Sequence, residues 1–135
     1  MADITITAAN VVTTSSSKKT GTAGASITAG QALYEDTADS NKLKLAVSSS
    51  SAAAACAGIA LHAAASGQPI TYQTSGDITI GGTVAVGECY FVSGSAGGLQ
   101  PRADLGTNEY TTLVGVGKST SVVTINIVQT GAQAA

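Results

Sequence analysis

Short runs of alternating polar and apolar residues, separated by small and turn-forming ones, recur along this chain and predict strands rather than helices. Residues 3–7 (DITIT) alternate and predict a first short strand. Residues 8–26 (AANVVTTSSSKKTGTAGAS) hold no period, are rich in Ser, Thr, Ala and Gly, and read as a flexible arm or long loop. Residues 31–35 and 42–47 (KLKLAV) predict a hairpin through the turn Asp36-Thr37-Ala38-Asp39-Ser40-Asn41, with Leu43, Leu45 and Val47 on one face. Residues 48–57 (SSSSAAAACA) form the one helix candidate, with serines to cap it and Gly58 to stop it. Further strands are expected at 58–63, 70–74, 77–80, 83–86, 88–93, 99–102, 110–118 and 121–129. Residues 103–109 read as a loop or single turn, Ser119-Thr120 as a hairpin turn and 131–135 as a tail.

The pattern repeats. The stretch from Ile27 to Ala60 returns, altered, from Val84 to Gly117. Gly30 falls on Gly87, Leu33-Tyr34 on Tyr90-Phe91, and Gly58-Ile59-Ala60 on Gly115-Val116-Gly117, at a constant offset of 57 (87 − 30 and 115 − 58). Tyr72-Gln73-Thr74 likewise matches Val128-Gln129-Thr130 after a small shift in the loop. Two copies of one β unit imply a pseudo-twofold pair in which each copy covers the apolar face of the other. A stacked solenoid wants three or more repeats. The expected fold is therefore all-β with at most one short helix: a compact β-barrel or sandwich of two related units. The expected organisation is a strand and flexible arm over 1–26, a β domain over 27–131 with repeats at 27–76 and 84–131, and a tail at 132–135.

Composition narrows the function. Only 10% of the 135 residues are charged, well below the usual quarter of a globular chain. The sustained apolar alternation argues against disorder, so subunit contacts over part of the surface are the better explanation. A net charge of −2 with six basic residues, no Trp and one Phe supplies neither phosphate-tracking groove nor stacking platform, so no nucleic-acid partner is expected. No apolar run is long enough to span a bilayer as a helix. The opening MADITITAAN lacks the basic and apolar regions of a signal peptide, which makes cytosolic synthesis the expectation.

No constellation for catalysis emerges, and no catalytic, cofactor-binding or metal residue is assigned. His62, the sole histidine, follows an apolar strand and is expected to be held by backbone or solvent. Cys56 matches Leu113 and Cys89 matches Ala32 in the repeat, which favours free core thiols over a disulfide. Gly94-Ser95-Ala96-Gly97-Gly98 lacks the Lys-Ser/Thr ending and following helix of a phosphate loop, and reads as a hairpin turn. Asp36, Asp39 and Asn41 resemble a calcium loop only loosely, without its central glycine and distant glutamate.

Three segments carry a resemblance: AGQALYEDTADSNKLKLA (29–46), GIALHAAASGQPITYQTSGDITIG (58–81) and YFVSGSAGGLQPRADLGTNEYTTLVGVGKSTSVVTINIVQTG (90–131). Over roughly residues 22–131 the chain resembles the capsid decoration, or cement, proteins of tailed bacteriophages. The resemblance implies a tulip-like β domain, a homo-oligomer with a trimer favoured, and a place on the outer surface of the assembled virion. The implied partner is the major capsid protein, clamped and stabilised without cofactor or catalysis. The Ser-rich stretches 15–17 and 48–51 depart from the family pattern. The alternative is a receptor- or glycan-binding module of a phage fibre, for which Tyr34, Tyr72, Tyr90 and Tyr110 are the available platforms.

Overall fold

The computed structural model describes residues 4, 6–13, 17–106 and 109–133. Eleven strands form two sheets: β1 Val11–Thr13, β2 Lys18–Thr22, β3 Ala32–Asp36, β4 Lys42–Leu45, β5 Cys56–Ala60, β6 Pro69–Gln73, β7 Gly76–Ile80, β8 Cys89–Val92, β9 Leu99–Pro101, β10 Tyr110–Gly117 and β11 Val122–Gln133. The six-stranded sheet runs β1-β7-β11-β10-β8-β9 and the five-stranded sheet β2-β6-β5-β3-β4. The domain is all-β, as its alternation predicts. Both sheets stay open and neither closes into a barrel.

The repeat is visible in the ladders. Without β1, the larger sheet reads β7-β11-β10-β8-β9, the same order as β2-β6-β5-β3-β4 in the smaller one. The registers match residue for residue at the offset of 57. Leu33 faces Gly58 and Tyr34 faces Cys56; Tyr90 faces Gly115 and Phe91 faces Leu113. Each ladder slips by one residue at this point, which inserts Ala57 and Val114 as matched bulges. The turn bonds repeat as well: Gly30 N donates to Ala60 O at 2.8 Å, and Gly87 N to Gly117 O at 2.8 Å. Gly30 and Gly87 both take positive φ, +89° and +79°, where glycine is unstrained.

This symmetry moves a boundary. Residues 18–26 do not form a free arm: β2 pairs with β6 along its whole length and stands where β7 stands in the second unit. Its sequence, Lys-Lys-Thr-Gly-Thr, has no apolar face, because one side of this edge strand meets solvent. β1 is then the additional strand, laid on β7 through Val11–Ile80, Val12–Thr79 and Thr13–Ile78.

Three other expectations are corrected. Residues 48–57 make a single turn, closed by Ala54 N to Ser50 O at 2.9 Å, before β5 takes over at Cys56. Two isolated helical turns are marginal without packing, and the ladder to β3 claims the backbone first. Residues 83–86 form no strand; Val84 drops into the core while the next residues turn outward. β11 continues to Gln133, opposite Tyr110, through much of the expected tail. The single turn expected within 103–109 is there, as a 3-10 turn over Arg102–Asp104. Residues 3 and 5 of the strand expected at 3–7, residues 14–16 of the expected arm, residues 107–108 of the expected loop at 103–109 and residues 134–135 of the expected tail lie outside those described.

The main core lies between the sheets. Ala32, Ala46, Cys56 and Ile59 of the first unit meet Ile78, Ile80, Tyr90, Val92, Leu99, Val114, Val123 and Ile125 of the second. A second cluster, centred on Leu33, Leu43, Ile70 and Tyr72, is covered by Ala23, Ile27 and Ala64 from the loops. Ile4, Ile6 and Val11 pack on the main core from outside.

Two polar groups, the buried Gln73 and the half-buried Glu109, tie the segments together. Gln73 is fully buried: its Oε1 accepts from Thr13 Oγ1 at 2.7 Å, and its Nε2 donates to Ser75 O and Asp77 O at 2.9 and 2.8 Å. Glu109 accepts from Ser48 Oγ at 2.5 Å, from Gln100 Nε2 at 3.1 Å and from Gly106 N. Burial pushes the Glu109 carboxyl upward, but the Ser48, Gly106 and Gln100 hydrogen bonds outweigh it and hold the group below its ordinary value. A depressed carboxyl stabilises the fold above its unfolded-state value and loses that contribution as pH falls through the folded one. Glu109→Gln is therefore expected to lower the urea midpoint at pH 7, with the gap to the parent narrowing at pH 3. Equal gaps at both pH values would show that the charge contributes nothing.

Candidate functional site: the open margin of the larger sheet

Unpaired strand edges invite other chains, and proteins block them with lysine, proline or a covering segment. The smaller sheet ends on β2 and β4. β2 presents Lys18 and Lys19 to solvent. β4 carries Lys42 and Lys44, and its edge is covered where Gly24 N donates to Leu43 O at 2.8 Å. In the larger sheet β9 ends in Pro101, which has no N–H, and Ile4 N donates to Leu99 O at 2.9 Å. Among the described residues no such device stands on β1, the fourth edge. It reads Val-Val-Thr, and Val12 is 54% exposed.

The same margin continues along β11. Its pairing with β7 ends at Ile125 opposite Gly76, whereas its pairing with β10 runs on to Gln133. Beyond Ile125 no strand among the described residues pairs with that side of β11, and Val128 stands 47% exposed there. Val12 and Val128 are two of the three large hydrophobic residues most exposed among those described; the third is Val86. An uncharged strand edge with apolar side chains on it suits addition of an extended strand, in which backbone bonds give affinity and side-chain pockets give selectivity.

The residues singled out by chemistry lie elsewhere. His62 is exposed: Nδ1 is 2.9 Å from Ala63 O, and Nε2 accepts from Thr71 N at 3.0 Å, so the backbone holds the ring on both sides. Asp36 accepts from Lys44 Nζ at 2.7 Å and Ala38 N at 3.1 Å. Lys44 also reaches Asp39 at 3.2 Å. The Lys44 bond holds the Asp36 carboxyl below its ordinary value, and Asp36 in turn raises Lys44. Lysine thus takes the place a cation would fill. No group of three His, Cys, Asp or Glu side chains gathers to hold a metal among the described residues. Residues 94–98 form the β8–β9 hairpin turn, with Gly97 at φ +79°. Tyr72 and Tyr90 are buried, Tyr90 Oη accepting from Ala85 N at 2.8 Å, while Tyr34 and Tyr110 are half-buried.

Both cysteines are free, Cys56 buried and Cys89 half-buried. Burial pushes the Cys56 thiol up to about 12, against weaker opposing bonds from Gly58 and Leu33. Reactivity requires the thiolate. Cys56 should resist iodoacetamide at pH 8 while the chain is folded and alkylate after denaturation; native labelling, read by mass spectrometry, would contradict its place in the core.

Local sequence leaves residues 8–26 as one flexible arm or loop, whereas the structure divides them into the edge strands β1 and β2. Which edges stay unblocked depends on sheet order, and no local pattern encodes that. Comparison with protein-family models, curated proteins and solved structures finds no match.

Proposed function

We propose that this chain is a structural capsid protein: a cement that binds the outer surface of an assembled tailed-phage head and stabilises it without catalysis. The observation that carries the reading is the unblocked β1–β11 margin, an apolar strand edge on a domain whose other edges are covered, charged or closed by proline. The resemblance of residues 22–131 to decoration proteins names the partner, the major capsid protein, and favours a homotrimer. Low charge and a surface of small residues suit close packing against other subunits. A ligand that binds only the assembled shell stabilises it by mass action, and several modest contacts on one oligomer add by avidity.

Mixing the purified protein with undecorated heads should give co-sedimentation and raise the resistance of the heads to heat and chelators. Val12→Lys, at an exposed edge position, should weaken head binding about tenfold, one unfavourable charge on a short edge, and leave the melting temperature unchanged. No co-sedimentation of the parent would end the reading. Unchanged binding of Val12→Lys would move the contact away from β1.

A further inference from the structure

Both repeats end their central strand in the same way, and each time a side chain completes the ladder. In the second unit Lys118 N donates to Val122 O at 2.8 Å as β10 ends, and Oγ of the next residue, Ser119, accepts from Val122 N at 3.2 Å. In the first unit Leu61 N donates to Thr71 O at 3.0 Å as β5 ends, and Nε2 of the next residue, His62, accepts from Thr71 N at 3.0 Å. The offset of 57 carries Leu61 onto Lys118 and His62 onto Ser119. In both units a side-chain acceptor therefore stands where the departing strand would have supplied a carbonyl. The loops that follow match as well. Ala64 O accepts from Ile27 N and Thr120 O from Val84 N, both at 2.9 Å, and the two donors are again 57 apart (84 − 27).

The two acceptors differ in one chemical respect. A hydroxyl goes on accepting as the solution turns mildly acidic, whereas an imidazole nitrogen accepts only while it carries no proton. A backbone N–H can only donate, so Nε2 of His62 is bare, and the neutral ring carries its proton on Nδ1, which donates to Ala63 O at 2.9 Å. A second proton would have to sit on Nε2, aimed at the Thr71 N–H. Two donors would then face each other, and the ring is exposed, so it can leave for water. The ionisable groups on the strands around it are Tyr72 of β6, Lys18 and Lys19 of β2, and Tyr34, Glu35 and Asp36 towards the far end of β3; residues 23–31 and the rest of 57–71 carry none. Asp36 is held by Lys44, and Glu35 accepts from Tyr72 Oη at 3.4 Å. No carboxylate among the described residues bonds to the imidazole to keep a charged ring in place.

We propose that His62 is an acid-released clasp: on protonation it frees Thr71 and loosens the 61–63 corner of the smaller sheet, while the Ser119 clasp of the larger sheet stays shut. Release stops at that corner. Ile27 and Ala64 exchange two backbone bonds, at 2.9 and 3.0 Å, and Gly67 N donates to Ala23 O at 2.7 Å, none of them through a titrating group. Acid thus softens one end of one unit only. The clasp rests on these hydrogen bonds and not on the cement reading, so it holds even in a chain that ignores phage heads.

Nitrogen-15 NMR of the labelled full chain tests it. At pH 7.5 the ring should show a protonated Nδ1 and a bare Nε2. Between pH 7.5 and pH 5.0 the hydrogen-exchange protection of the Thr71 amide, corrected for the intrinsic rate, should fall about tenfold, the release of one hydrogen bond. The amides of Val122 and Ala64 should keep theirs. His62→Ala, an exposed substitution, should bring Thr71 to the acid level of protection at both pH values. A proton on Nε2 at pH 7.5, protection of Thr71 that does not fall in acid, or parental protection in His62→Ala would overturn the proposal.

Discussion

Replacing Gly58 or Gly115 by alanine should lower the melting temperature by about 10 °C, by the same amount at each site, an estimate from about 3 kcal/mol of overpacking in a domain of this size. These glycines lie at the matched bulges, where one strand passes directly over its neighbour's backbone. A methyl group on Gly58 would stand 2.8 Å from Tyr72 Cδ2 and closer still to the Gln73 carbonyl oxygen. On Gly115 it would stand 2.8 Å from Val123 Cγ1 and closer to the Thr124 carbonyl oxygen. Backbone oxygens in a ladder cannot swing aside, so the sheet must part. Gly67 is the control: it has φ +89° and nothing within 4 Å of its Cβ position, so alanine there should cost only about 1 kcal/mol of left-handed strain. Thermal unfolding of the three variants checks the ranking. A mild Gly115→Ala beside a severe Gly58→Ala would mean that the repeats do not share their geometry.

Gln73→Leu should destabilise the chain by about 2 kcal/mol, the net loss of the hydrogen bonds that this buried amide makes. The amide bonds three segments: Thr13 at the end of β1, and the Ser75 and Asp77 carbonyls where β6 passes to β7. Leucine keeps most of the volume, so the loss is polar, and it should fall chiefly on the β1 edge. Hydrogen exchange should then quicken at the β1–β7 ladder before the β10–β11 ladder. Uniform acceleration would show that Gln73 supports the core at large and not this edge.

Much of this architecture is legible in the residues. Gly30, Gly58 and their counterparts Gly87 and Gly115 are kept because turns and bulges need them, and they set the offset that the ladders reproduce. Cys56 takes the place of Leu113, and both face the aromatic residue across the bulge. β2 escapes the same reading because Lys18 to Thr22 carry no apolar alternation; only its pairing with β6 makes it a strand. The alanine run after Ser48 has helix propensity, but the ladder begins at Cys56 and leaves room for one turn. Local preference yields to pairing there. The candidate site is less legible still. Val12 is an ordinary valine in sequence, and its importance depends on β1 being last in the sheet and lacking the lysines and proline of the other edges.

The most direct test of the cement reading is a cryo-electron microscopy reconstruction of heads incubated with this protein. The account predicts added density on the outer surface at local threefold positions, with the β1–β11 margin against capsid subunits. Heads without added density, or density that touches the shell through the lysine-bearing edge of the smaller sheet, would contradict it.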